Sequence, residues 1–363
     1  MRVVVFGLSL SSSWGNGHAT TYRALLRAFA ERGHDVLFLE RDQPWYAGHR
    51  DLTDPDWCRL RLYEGERGHE DFADEVRAAD AVIVGSYVPD GRAVGQFVQR
   101  TAEGVTAFYD IDTPVTLSAL ARGECTYLDA DLVAGYDVYL SFTGGPTLAR
   151  IERRWGSPAA RALFCTVDTD LYRPVPTRPR WDLSYIGTYS PDRQPTLQRL
   201  LLEPARRAPD LRFAVAGPLY PDTIHWPDNV ERFDHVAPAD HPAFYGASRY
   251  TLNVTRADMI AAGHSPSVRL FEAAACETPI LSDRWEGLET FFRPGREILL
   301  PGDANEVVQI LRDLPETRRR AIASGGAARI RDRHDARARA GQLEDDLMEA
   351  KARLTAGGAA RAS

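Results

Sequence analysis

Lysine is almost missing from this 363-residue chain: of its 44 lysine and arginine residues, all but Lys351 are arginine. Any phosphate the protein binds must therefore be held by arginine, by backbone N–H groups or by hydroxyls. Cysteine is also sparse. Cys58, Cys125, Cys165 and Cys276 are scattered without a Cys-x-x-Cys pair, so neither a zinc site nor a disulfide framework is indicated. Cys276, in an alanine-rich stretch, reads as a small core residue. No apolar run approaches the ~20 residues that cross a bilayer, so no transmembrane segment is expected. A basic excess is lacking too. The net charge of -7 argues against nucleic acid as a partner. The arginine-rich stretch 318–339 is interleaved with Asp332 and Asp335 and reads as a solvated helix.

What is present is ordinary globular composition. Hydrophobic residues make up 44% and charged residues 26%, which excludes general disorder. The length suits two domains better than one. The opening Arg2 to Gly7 has an apolar run but leads into a small-residue loop, so it reads as a first core strand rather than a targeting signal, and a cytoplasmic protein is expected.

The periodicity alternates between strand and helix. Arg2 to Gly7 predicts a strand, Ala19 to Glu31 a helix with Tyr22, Leu25, Leu26 and Phe29 on one face, and Val36 to Leu39 a second strand. Strands follow at 81–85, 105–110, 138–142 and 163–166, with helices at 72–79, 94–101 and 146–155. Residues 168–180 hold three prolines and no periodicity. A second series has strands at 183–186, 212–217, 230–233, 250–254, 279–282 and 298–300, with helices at 195–205, 241–247, 267–275, 305–314 and 316–334. The domains expected are 1–168 and 181–334, joined by a linker at 169–180 and followed by a charged helix and frayed tail at 335–363. Strand-helix alternation implies an α/β architecture of two Rossmann-like domains with parallel sheets.

Ligands of such sheets bind beyond the carboxyl ends of the strands. Four loops stand out there. Ser11 to His18 (SSSWGNGH) is rich in small residues and precedes a helix, but its spacing is not G-x-G-x-x-G, which disfavours a dinucleotide enzyme. His18 is a candidate general base, with a loop-positioning role as the alternative. Gly187 to Gln194 joins a glycine turn, the hydroxyls of Thr188 and Ser190, and Arg193, a combination suited to a diphosphate; helix capping by Ser190 and Asp192 is the alternative. Thr255 to Ser267 leads into a helix in which Glu272 sits among apolar residues. A buried carboxylate needs partners, and ribose hydroxyls are suitable donors. Asp283, in Ser282 to Glu289, either reaches a ligand or caps the helix that follows.

The segments SPSVRLFEAAACETPILSD (Ser265 to Asp283) and GLETFFRPGREILL (Gly287 to Leu300), with the opening GNGHATTYRALLRAFAERGHDVLFLERD and DLSYIGTYSPDRQ, resemble GT-B glycosyltransferases, most nearly the CgeB-like (spore maturation protein) group. The resemblance spans essentially the whole chain. It implies two Rossmann-like domains facing each other across a cleft and transfer of a sugar from a nucleoside-diphosphate sugar, UDP- or TDP-linked, without a metal or other cofactor. The second domain would hold the donor. Glu272 would bind the ribose hydroxyls, Gly187, Thr188 and Arg193 would face the diphosphate with Arg256 and Arg269, and Ser265 and Ser267 would line the same site. The segment 233–236, with His235 and Val236, would flank the base. The first domain would take the acceptor, a small molecule, glycan or protein, near Asn16, Tyr87 and Asp112, with His18 and Asp110 as catalytic candidates. Two features depart from the pattern. The Glu-x7-Glu of many retaining relatives is His264 and Glu272 here, and their arginine-lysine pair has no lysine. Inversion with His18 as base and front-face retention both stay open. A nucleotide-sugar epimerase of the same fold and a non-catalytic sugar-nucleotide binder are the competing readings.

Overall fold

The apolar runs become two separate parallel sheets in the computed structural model, which describes residues 1–14 and 17–362, with side chains through residue 356. The chain divides into two units, Met1–Thr166 with Ala336–Ser363, and Val167–Asp335.

The first unit holds strands β1 (Arg2–Gly7), β2 (Asp35–Arg41), β3 (Arg59–Tyr63), β4 (Ala81–Gly85), β5 (Val105–Asp110), β6 (Val138–Ser141) and β7 (Ala160–Ala162). They form one sheet in the order β3-β2-β1-β4-β5-β6-β7. The pairing is parallel throughout, with Val5 beside Phe38 and Ile83 in adjoining strands. Helices cover both faces, which is why the central strands read as unbroken apolar runs rather than alternating ones. Every residue of β4 and β5 is buried. The second unit holds β8 (Trp181–Ile186), β9 (Phe213–Ala216), β10 (Val230–Phe233), β11 (Ser248–Asn253) and β12 (Ile280–Ser282), in the order β10-β9-β8-β11-β12. Both sheets thus place their first strand in the middle and reverse direction beside it, the arrangement that opens a ligand crevice at the carboxyl ends.

The departures from the sequence expectation have physical causes. Edge strand β3 went unread because Arg59 and Arg61 alternate with its leucines and only Tyr63 is buried. The strand expected at 163–166 lies earlier, at β7, and residues 298–300 contribute only isolated bridges, Leu281 to Leu299 and Pro294 to Ile298. Helices Thr113–Arg122 and Ala130–Gly135 fill a stretch where no periodicity was assigned. The expected helix 195–205 carries a π turn at Gln198–Leu202 just before Pro204, whose ring nitrogen has no hydrogen to continue the ladder.

The helix Ala336–Ala362 belongs to the first unit. Ala336, Ala340, Leu343, Leu347 and Ala350 recur at helical spacing and join the same apolar cluster as Leu25, Leu26 and Phe29 of helix Gly17–Glu31. Charged residues flank that stripe. Lys351 Nζ donates to Asp80 at 2.9 Å, and Arg32 Nε donates to Glu344 at 2.7 Å. Being exposed, these pairs add little; the buried stripe carries the docking. Among the described residues no helix is long and apolar enough to cross a membrane.

Candidate functional site

In the second unit, polar residues concentrate where β8, β9, β11 and β12 end. Asn253 closes β11 and is fully buried. Its amide nitrogen donates to Thr255 Oγ1 at 3.2 Å and Ser282 Oγ at 3.0 Å. Its carbonyl oxygen accepts from Ser267 Oγ at 2.8 Å and Arg269 Nη1 at 3.1 Å. Arg269 is further fixed by its Nε, which donates to the carbonyl of Ile186 at the end of β8, and by the Tyr185 ring, whose centroid lies 4.9 Å from the guanidinium carbon. Arg193 sits in the loop after β8 and donates to Thr188 O at 2.6 Å. Its guanidinium is pulled below its ordinary value by burial first, with Arg269 and Arg256 nearby adding repulsion. Among the described residues, no carboxylate lies within ion-pair distance of Arg193 or Arg269. Two guanidinium groups held side by side, Arg193 and Arg269, attract an anion.

The backbone beneath these arginines is tightly packed. Gly217, with φ +143°, lies so close to the loop after β8 that an added Cβ would stand 2.1 Å from Gly187 O. At Gly187 a Cβ would meet the Tyr185 hydroxyl at 2.3 Å. These glycines let two strand ends approach each other under the arginines. Thr188 is exposed beside them. The hydroxyl of Ser190 is taken by Asp192, and Asp192 accepts from Ala257 N at 2.8 Å, capping helix Ala257–Ala262. The expected cap of the following helix is not formed: no side chain caps Gln194–Leu197, and Asp192 serves the helix 65 residues on instead. Asp283 reaches no ligand surface. It is buried, accepts from Thr255 N at 3.1 Å and Thr255 Oγ1 at 2.8 Å, and burial pushes its carboxyl up. Ser265 is buried, and His264 adopts φ +47° against Gly287.

Glu272 lies one turn beyond Arg269 on helix Val268–Ala275 and is buried. Its Oε2 accepts from Tyr245 OH at 3.2 Å and lies 3.7 Å from His241 Nδ1. Burial alone would raise this carboxyl, but the contacts with His241 and Tyr172 and the charge of Arg269 outweigh it and hold the group below the ordinary range. His241 in turn approaches Val236 O at 3.2 Å through Nε2. His235 is exposed.

In the first unit, the residues after β1 and β5 are organised differently from expectation. Glu40, the last buried residue of β2, is fully enclosed and accepts from Leu10 N at 2.7 Å, Ser11 N at 2.9 Å, Ser11 Oγ at 2.7 Å and Ser9 Oγ at 3.1 Å. Ser13 is taken by Asp51, which also pairs with Arg23 at 2.6 Å. The donors of this described part of the first loop are thus committed within the unit, to Glu40, Asp51, Ser9 Oγ, Ser12 Oγ and His49 O. Asn16 lies outside the described residues.

His18 and Tyr87 meet edge to face at 5.4 Å, and Tyr87 OH donates to Asp112 at 3.1 Å. Tyr87 holds φ +61°, a conformation that costs a bulky residue energy and aims its ring at this cluster. Burial pulls the His18 imidazole down to about 4, so the ring is neutral at pH 7 but weakly basic. Asp110 is not with them in any accessible sense. It is fully buried, accepts from Tyr139 OH at 2.5 Å and Thr116 Oγ1 at 2.7 Å, and is pushed up to about 6 by burial. These bonds tie the end of β5 to β6 and to helix Thr113–Arg122. Because the folded chain binds this proton more tightly than an ordinary aspartate at 3.8 does, stability falls as pH rises from about 4 to about 6. Asp110→Asn is expected to flatten that decline by about 2 to 3 kcal/mol, read from urea unfolding at pH 4.5 and 7.

Among the described residues, no group of three or more His, Cys, Asp or Glu side chains is placed to hold a metal ion. Sequence reasoning missed Glu40, Asn253, His241 and Tyr172. The first two carried a signal: a polar residue closing an otherwise apolar strand.

Residues 193–345 match a family model described as glycosyl transferase-like. No curated protein is significantly similar in sequence. Solved structures resemble the chain over nearly its full length. Sucrose-phosphate synthase from Thermosynechococcus elongatus has a TM-score of 0.68 at 16% identity, covering 96% of this chain and 99% of that one. HepE (Alr3699) from Anabaena, in complex with UDP and glucose, has a TM-score of 0.68 at 13% identity, covering 96% and 100%. An alpha-glucosyltransferase in complex with UDP and a 13-mer DNA has a TM-score of 0.69 at 12% identity, covering 96% and 99%. The fold is GT-B, and its second unit carries the larger part of a glycosyl transferase-like segment.

Proposed function

We propose that this protein is a glycosyltransferase of the CgeB-like group that moves a sugar from a UDP- or TDP-linked donor to an acceptor bound by the first unit. The observation that carries the reading is the pair Arg193 and Arg269, fixed at the end of β8 with no carboxylate in ion-pair distance among the described residues, within a segment that matches the glycosyl transferase-like model. Arg193, Arg256 and Arg269 neutralise the charge that grows on the leaving diphosphate, a task that needs no metal where fixed guanidinium groups supply it. The ribose hydroxyls donate to Glu272, and the segment 233–236 flanks the base. UDP in the structures of HepE and of the alpha-glucosyltransferase supports uridine as the base. On the acceptor side, His18, Tyr87 and Asp112 form the reactive cluster; Asp110 drops out because it is enclosed.

Calorimetric titration of UDP, TDP, GDP and ADP is expected to show selective binding of the pyrimidine diphosphates, unchanged by EDTA. Glu272→Ala is expected to weaken that binding at least about tenfold, or ~1.4 kcal/mol. A folded wild-type protein that binds none of the four refutes the proposal. Transfer to an acceptor, as opposed to epimerisation, is read from the appearance of free UDP only when acceptor is present.

A further inference from the structure

We propose that His241 is a positioning residue that ties the base-flanking segment 233–236 to the carboxylate of Glu272, so that base and ribose are recognised as one unit. This rests on the donor-site reading above. His241 opens the helix His241–Gly246, and its ring touches two different segments. Nε2 lies 3.2 Å from Val236 O. A carbonyl and a carboxylate both only accept, so the tie uses the imidazolium form, in which Nε2 donates to Val236 O and Nδ1 donates toward Glu272. Nδ1 faces the Tyr172 hydroxyl at 3.3 Å and Glu272 Oε2 at 3.7 Å. Tyr245, one turn further along the same helix, donates to the same oxygen at 3.2 Å.

Two consequences follow from this geometry. Tyr245 OH and His241 Nδ1 both meet Glu272 at Oε2 and Tyr172 bonds the same carboxylate, so the orientation that Glu272 offers a ribose is set by these three side chains. And because imidazole is rigid, the spacing between Val236 O and Glu272 Oε2 is fixed by one ring. Val236 packs with Phe233 against Trp181 and Phe244, so its carbonyl moves with the base-flanking segment as a whole. A histidine that merely stabilised the unit would need no contact on both sides.

The two halves of the ring are separable. His241→Asn keeps an amide near the Nδ1 position, facing Glu272. His241→Gln keeps one near Nε2, facing Val236. UDP, 2′-deoxy-UDP and ADP are titrated by calorimetry into the full chain and both variants. His241→Asn is expected to narrow the preference for UDP over ADP about fivefold and to spare the preference for UDP over 2′-deoxy-UDP. His241→Gln is expected to do the reverse, by a similar factor of about five. Equal weakening for all three ligands, or unchanged ratios in both variants, overturns the inference while the donor site stands. Wild-type protein that binds none of the three overturns the donor site itself, and the inference with it. If both variants fail to fold, Tyr172→Phe removes a single oxygen from the same cluster; it must narrow the UDP to 2′-deoxy-UDP preference, and an unchanged ratio overturns the inference.

Discussion

Arg269→Ala is expected to weaken UDP binding by about 30- to 100-fold, or ~2 to 3 kcal/mol, the range for losing a fixed charge-assisted pair. The size of the effect follows from how the side chain is held. Its Nε is committed to the Ile186 carbonyl and its Nη1 to Asn253 at 3.1 Å, and its plane lies over Tyr185. The remaining donors are therefore aimed before any ligand arrives, and binding costs little ordering. Arg269→Lys is expected to recover only a minor part of the loss, because one ammonium cannot hold Ile186 and Asn253 and still face an anion. Asn253 keeps its bond from Ser267 in either variant, so the site's floor stays in place. Calorimetry with UDP, paired with circular dichroism to confirm the fold, decides it. Undiminished affinity in Arg269→Ala would place the diphosphate elsewhere.

Glu40→Ala is expected to produce the largest loss of stability, ~3 kcal/mol or more in the first unit. Removing this carboxylate strands three donors at once in a fully enclosed place, the N–H groups of Leu10 and Ser11 and the hydroxyl of Ser11, while Ser9 Oγ turns to Ser12 O at 3.2 Å. Each stranded buried donor costs about 1 to 3 kcal/mol, tempered by relaxation and by water entering the cavity. Glu40→Gln is expected to be nearly as harmful, since its amide nitrogen would face donors. Urea unfolding followed by hydrogen exchange at the β1 and β2 amides assigns the loss to this unit. Exchange rates like those of the wild type in Glu40→Ala would show that the loop is held by other means.

Much of the fold was legible because a parallel sheet buried on both faces writes itself as apolar runs. β1, β4 and β5 were placed to the residue for that reason, as was the helix Pro146–Trp155, which has proline at its start and glycine at its end. The illegible parts are those where side-chain chemistry depends on depth. Asp110 ends an apolar strand just as Asn253 and Glu40 do, and sequence has no means of telling which of these faces a ligand and which faces a tyrosine. Here burial separates them: Asp110 is spent on Tyr139 and Thr116, Glu40 on the loop above it, and Asn253 on steering Arg269. Glu272 was recognisable as a carboxylate needing partners, but two of those partners, His241 and Tyr172, come from segments 31 and 100 residues earlier in the chain. Such distances are invisible to local spacing.

The docking of helix Ala336–Ala362 onto the first unit bears on the order in which the chain can mature. As the polypeptide leaves the ribosome from its amino end, the seven strands of the first sheet emerge early, yet the apolar face formed around Leu25, Leu26 and Phe29 lacks its cover until Leu343 and Leu347 have been made. The continuous unit Val167–Asp335 can close on itself before then. The half that begins the chain is therefore the half that finishes last, and a stalled or truncated nascent chain would present a greasy strip to chaperones while its second half was already native.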